Sequence, residues 1–154
     1  MDARTTVQTL LDSVQEADFE QAKSLLSNEF QFSGLLPEPV DRDVWLKMSR
    51  SLKKAFPDLN YRFHVEGTDG DVVRVSAKLK GTHTHELDVS AMNMGVIPAT
   101  KKSFINPHER GKVTVRGGKV TSWVVESIAG GGLKGIFGQL GIKESANPVR
   151  VSPI

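Results

Sequence analysis

After Pro57 the spacing of apolar residues changes from a helical period to an alternating one, and this change constrains the fold more than any other feature of the chain. Before it, Val7, Leu10, Leu11 and Val14 recur at i, i+3, i+4 and i+7, which lays one apolar stripe along a helix from about residue 3 to 16. Asp18 stands where an N-cap is needed, with Gln21 three residues on, and Phe19, Ala22, Leu25 and Leu26 form the buried side of a second helix. The two prolines between Gly34 and Pro39 prevent a continuous helix there. Asp41 or Asp43 then caps a third helix with Trp45, Met48, Leu52 and Phe56 on one face, which Pro57 ends.

Past Pro57, Asn60 to Glu66 reads as a strand, Gly67-Thr68-Asp69-Gly70 as a turn, and Asp71 to Gly81 as the returning strand with Val73, Val75, Ala77 and Leu79 on one face. Phe104 to Arg116 and Lys119 to Ser127 form a second pair joined by Gly117-Gly118, which can adopt the positive φ of a tight hairpin turn. Helices first and strands later predict an α+β domain: one antiparallel sheet over residues 60–127, with three helices from the stretch before Pro57 on its concave side. Gly130-Gly131-Gly132 breaks the last strand, and Leu133, Ile136, Phe137 and Leu140 return to helical spacing. Residues 1–143 are therefore read as a single domain and 144–154, with two prolines, as an irregular tail.

Composition excludes several function classes. Hydrophobic residues at 38% and charged residues at 25% are globular values, far from the signature of disorder. With no cysteine, a disulfide framework, a thiolate metal site and a cysteine nucleophile are all ruled out. Asp2, Asp12, Glu16, Asp18 and Glu20 interrupt the N-terminal apolar positions, unlike the core of a signal peptide, and no apolar run reaches the length of a membrane span, so a cytoplasmic protein without a membrane partner is expected. The net charge of +2 is spread along the chain. Its densest basic group, Lys47, Arg50, Lys53 and Lys54, fits the wet side of the third helix, so no nucleic-acid partner is expected.

Five short runs, in order, carry a family resemblance: Ala55-Phe56-Pro57-Asp58-Leu59, Gly81-Thr82-His83-Thr84, Gly95-Val96-Ile97-Pro98-Ala99-Thr100, Gly118-Lys119-Val120 and Gln139-Leu140-Gly141. Together they resemble the SnoaL-like, polyketide-cyclase-type branch of the NTF2-like superfamily, from the first helix to about Lys143. The resemblance implies a cone made by a strongly curved sheet, closed on one side by helices, with the C-terminal segment near its mouth and a homodimer through the sheet's outer face. It also implies a range of activities, from aldol-type cyclases, a ketosteroid isomerase, dehydratases and epoxide hydrolases to proteins without chemistry. In the cyclases an acidic residue near the end of the last strand moves protons without metal or nucleotide, so no cofactor is expected. Here that strand reads Trp123-Val124-Val125-Glu126-Ser127, which puts Ser127 where the family frequently has aspartate and leaves Glu126 as the nearest carboxylate. Adjacent strand residues point to opposite faces, so both cannot enter the pocket without a bulge.

The residues themselves offer further candidates. His83 and His85 reach the interior if their strand runs on regularly from Val73, as acid or base near neutral pH; if it frays after Gly81, they sit on the rim. Their spacing alone lacks the third ligand that His108 or Glu86 would have to supply, and no metal is expected. Trp45, Met48, Phe56 and Trp123 either fill a core or wall a pocket, and Met92 offers a flexible rim residue. Asp58 is either a turn carboxylate or a polar pocket group, and Asn106-Pro107-His108-Glu109 interrupts a strand, aiming His108 inward or marking an edge.

The function expected is binding of a small hydrophobic molecule, with cofactor-independent proton transfer on a carbonyl compound as the chemistry: His83 or His85 as acid or base and Glu126 as second proton carrier. At least one of His83, His85, His108, Asp58 and Glu126 is then expected to line the pocket beside Trp45 or Trp123. Two other readings use the same fold: a non-catalytic binding module, and a dimeric interaction protein whose cup is filled by its own side chains.

Overall fold

Each N-terminal helix starts at an aspartate whose side chain accepts a backbone N–H three residues on. Asp2 caps α1 (Ala3–Gln15) through Thr5, Asp18 caps α2 (Phe19–Leu25) through Gln21, and Asp41 rather than Asp43 caps α3 (Arg42–Ala55) through Val44. The computed structural model describes residues 2–36, 38–92 and 94–142; the tail expected over 144–154 lies outside them. α3 stops where Pro57 can no longer donate a helical hydrogen bond, with Phe56 as its C-cap.

The main sheet has six strands. β1 (Leu26–Ser33) leaves α2 directly and β2 (Val40–Asp41) precedes α3; β3 (His64–Asp69), β4 (Val72–Ala77), β9 (Glu109–Arg116) and β10 (Lys119–Val125) follow, in the spatial order β2-β1-β10-β9-β4-β3. β1 runs parallel to β10, with Phe32 opposite Trp123, and every other neighbouring pair is antiparallel. The expectation of a purely antiparallel sheet confined to residues 60–127 is corrected by this strand. Its alternation of buried Phe30 and Phe32 with exposed Glu29 and Gln31 is short, and Leu26 continues an apolar run that reads as helix although it is the first strand residue.

The hairpins sit close to the expected places. Arg62, at φ 49°, delays the first strand to His64, and the turn after it narrows to Gly70-Asp71. Gly117 and Gly118, at φ 58° and 76°, make the two-residue turn between β9 and β10. Beyond Ala77 the returning strand leaves the main sheet. β5 (Lys80–Thr82) pairs with β8 (Ser103–Ile105), β6 (Leu87–Asp88) pairs with β7 (Val96–Ile97), and Asn106 to His108 separates β8 from β9. A fourth helix, α4 (Gly132–Leu140), ends at Gly141 in the left-handed conformation.

The core lies between α1 and the inner face of the sheet, where Val7 and Leu10 of the helix and Val73, Val113 and Val120 of the strands have no exposed surface. Each such side chain contributes about 1.5–3 kcal/mol by leaving water. β9 alternates strictly, so Glu109, Gly111, Val113 and Val115 point inward while Arg110, Lys112 and Arg116 point out. That alternation places the side chains of the site.

Candidate functional site

A cavity of about 110 Å³ lies between α3, the inner face of the sheet and α4. On α3, the i, i+3, i+4, i+7 spacing of Trp45, Met48, Ser49 and Leu52 turns one face toward it. The Ser49 hydroxyl donates to the Trp45 carbonyl at 2.9 Å, so this polar group is satisfied within its own helix. Aromatic rings from separate elements make the walls: Trp45 lies 5.7 Å from Trp123, Phe32 5.8 Å from Trp123, and Phe63 5.8 Å from Trp123, with Tyr61 stacked on Phe63 at 4.7 Å. Edge and tilted contacts of this kind add about 0.5–1.5 kcal/mol per pair beyond burial and hold the rings in place.

One carboxyl group stands in this apolar lining. Glu109, the first residue of β9, is only 5% exposed. Its Oε1 accepts the Gly132 N–H at 2.7 Å. The Asn106 Nδ2 donates to the Gly132 carbonyl at 3.1 Å, Gln139 Nε2 donates to Asn106 Oδ1 at 3.0 Å, and the Ile105 N–H donates to Gln139 Oε1 at 2.8 Å. Burial pushes the Glu109 carboxyl above the ordinary range, opposed by the Gly132 N–H and the Asn106 amide. Burial likewise pushes the Tyr61 phenol far up, so this cavity-lining group stays protonated.

Of the residues singled out from sequence, Trp45, Met48 and Trp123 line the cavity. None of the five titratable candidates does, which corrects that expectation. After β5 the chain turns aside and the N–H groups of Thr84 and His85 both donate to the Ala55 carbonyl, so the segment docks on the end of α3 instead of extending the sheet. His83 is fully buried there, its ring 5.1 Å from Phe56, which packs in turn against Phe104. The Thr100 N–H donates to His83 Nδ1 at 3.2 Å, which leaves the ring proton on Nε2, and Nε2 is buried with no partner among the described residues. Burial depresses the His83 pKa, helped by the nearby Lys101 charge.

His85 is exposed beside Thr84, and His108 is exposed on the segment between β8 and β9. Asp58 is a turn carboxylate: slight burial works to raise it, but the Thr82 N–H and hydroxyl, each at 2.8 Å, hold it below the ordinary range. β10 ends at Val125, its last inward residue, so Glu126 and Ser127 are both exposed and the Glu126 N–H donates to the Arg110 carbonyl. The Met92 side chain lies outside the described residues. Glu109 was overlooked although the sequence carries its signal, since it shares the two-residue period of Gly111, Val113 and Val115. Among the described residues no three His, Asp or Glu side chains converge as a metal site would require, and no helix is long and apolar enough to cross a membrane.

Comparison with known families places this geometry. The model of the SnoaL-like polyketide cyclases matches residues 4–124. The chain belongs to the SnoaL-like polyketide cyclase family. Solved structures of similar fold include a polyketide cyclase candidate from Xanthomonas campestris pv. campestris, at 16% identity over 90% of this chain and 96% of that one, with a TM-score of 0.69. IdmH, a polyketide cyclase candidate from Streptomyces antibioticus, is 19% identical over 92% of this chain and 100% of its own, with a TM-score of 0.68. An LEH-like epoxide hydrolase from M. tuberculosis is 15% identical over 90% of this chain and 92% of its own, with a TM-score of 0.61. No curated protein matches the sequence. At such identities the structural likeness establishes the NTF2-like fold alone, and a fold does not by itself specify a chemistry.

Proposed function

We propose that this SnoaL-like protein binds a small hydrophobic carbonyl compound and moves a proton on it, in a cyclase- or isomerase-type reaction without a cofactor. The observation that carries the reading is Glu109: a single buried carboxyl in an apolar, aromatic-walled cavity, pushed toward neutrality by its burial. Trp45, Met48 and Trp123 are the proposed walls of the ligand site. Neutral Glu109 donates its proton to the oxygen of a developing enol or alcohol, and the resulting carboxylate takes back the proton that carbon releases, so the enzyme ends as it began. Tyr61, protonated throughout, is a hydrogen-bond donor for the same oxygen.

Glu109→Gln tests this reading. The substitution keeps the acceptor for Gly132 and removes the ionisable proton, so turnover is expected to fall by about 100-fold or more with ligand affinity largely retained. Unchanged turnover would exclude Glu109 as the proton carrier. The apolar lining also supports a second reading, a binding module without chemistry; it takes precedence if ligands bind and no carbonyl compound is turned over by the unmodified protein. For assembly we propose a homodimer through the outer face of the sheet, in keeping with the resemblance.

A further inference from the structure

We propose that Asn106 and Gln139 are positioning residues that clamp α4 over the cavity on Glu109, and that loss of the Glu109 proton loosens the clamp. α4 puts Gly132, Leu133 and Ile136 into the cavity lining, so its position decides whether the cavity is closed on that side. It is joined to the last strand through Gly130, Gly131 and Gly132, the first and last of them at φ 81° and 64°. The approach is close enough that a Cβ on Gly131 would lie 2.7 Å from Glu109 Oε1.

The helix has no N-cap side chain of its own. Its Gly132 N–H is satisfied by Glu109 and its Gly132 carbonyl by Asn106. At the other end Gln139 is held by Asn106 and by the Ile105 N–H. Both ends of α4 are thus fastened to residues 105–109, and Asn106 touches both, which fixes the orientation of its amide and so the direction from which Gly132 meets the carboxyl. The fastening is polar and sits beside buried Ile136, Phe137 and Leu140.

Neutral Glu109 suits this closed arrangement, because one oxygen accepts from Gly132 and the O–H remains for a ligand. An ionised Glu109 does not, because it is a buried charge compensated by one backbone N–H and an amide. Water is the better solvent for it, and lifting α4 admits water. The groups able to alter this balance are few. Tyr61 and Arg110 belong to the lining, His108 precedes Glu109, and Lys134 is the exposed charge on α4; α1, α3 and β4 contribute no charged side chain to the lining. The Arg110 guanidinium is turned outward toward Glu66, at 3.9 Å. Proton donation by Glu109 would therefore prepare the cavity to open. That role in turnover rests on Glu109 being the proton carrier, whereas the clamp can be read without substrate.

Amide exchange of the full chain, followed from about pH 4 to pH 8 with β9 and β10 as internal reference, tests the clamp. Relative to that reference, α4 protection is expected to fall as pH rises through the Glu109 titration. Glu109→Gln, always neutral and still able to accept from Gly132, should hold α4 protection constant with pH. Gln139→Leu, at an exposed position, should lower α4 protection by about tenfold at every pH and move the Glu109 carboxyl resonance titration, with β9 and β10 unchanged. PH-independent α4 protection in the unmodified chain, or the same pH dependence in Glu109→Gln, overturns the proposal. The two readings separate cleanly. Lost turnover in Glu109→Gln with flat exchange in the unmodified chain keeps the catalytic reading and removes the clamp, and unchanged turnover with pH-dependent exchange does the reverse.

Discussion

Burial favours the neutral form of both Glu109 and His83, and the consequences for stability run in opposite directions of pH. The Glu109 carboxyl is raised above its ordinary 4.5, so its contribution is complete below that value and is lost as pH rises through the folded pKa. His83 is depressed below 6.5, so its contribution is complete above that value and is lost as pH falls through the folded pKa. Thermal unfolding followed across pH should show that His83→Gln removes part of the acid-side decline while leaving the alkaline side intact. An unaltered acid limb would mean that His83 does not titrate on unfolding. Neither environment was fully visible in the sequence. The histidine pair announced itself by residue type, but its place depended on Ala55 accepting from Thr84 and His85, a contact of the folded chain alone. Glu109 had the right strand parity and was obscured by the Asn106-Pro107 break just before it.

At the scale of elements, local chemistry was the most readable. Asp18 marks one helix start and Asp41 or Asp43 another, because such a side chain can satisfy an N–H that the helix leaves unpaired, and the structure selects Asp41 and adds Asp2. Asp41→Ala should therefore cost about 1 kcal/mol, seen as a lower urea midpoint with an unchanged slope. A loss near zero would show that α3 is held by packing alone. The two-glycine turn and the stop at Pro57 follow from the same kind of reasoning, since both are dictated by backbone geometry. β1 was not readable in this way. Its pairing with β10 joins residues about ninety apart, and nothing local distinguishes Leu26 at the end of a helical stripe from Leu26 at the start of a strand. The irregular connection from Ala77 to Ser103 escaped for a different reason: the strands of its two small sheets are only two or three residues long, too short to show a period.

The whole molecule is a SnoaL-like fold whose helices and sheet meet around an aromatic-walled cavity. Its outer sheet face differs from what an apolar dimer surface would offer: Arg74, Arg110, Lys112 and Arg116 are exposed there, and Val124 is the exposed large apolar residue of β10. Arg74 and Arg110 are paired with Asp69 and Glu66, but two-fold pairing through this face would still bring Lys112 and Arg116 toward their own copies, so the proposed homodimer should strengthen as salt screens them. Sedimentation is expected to show a growing fraction at twice the 16.8 kDa chain mass from low to physiological ionic strength. A monomer under both conditions would remove the dimer.

The central claim, that this cavity is a binding site for a small hydrophobic carbonyl compound, has a built-in reporter, because the chain's two tryptophans, Trp45 and Trp123, both line it. Titrating the protein with a panel of cyclic and aromatic ketones while recording tryptophan emission should give a saturable change, reduced by filling the cavity with Ala77→Phe. Emission that stays constant for every ketone, or a change that Ala77→Phe leaves untouched, would contradict it.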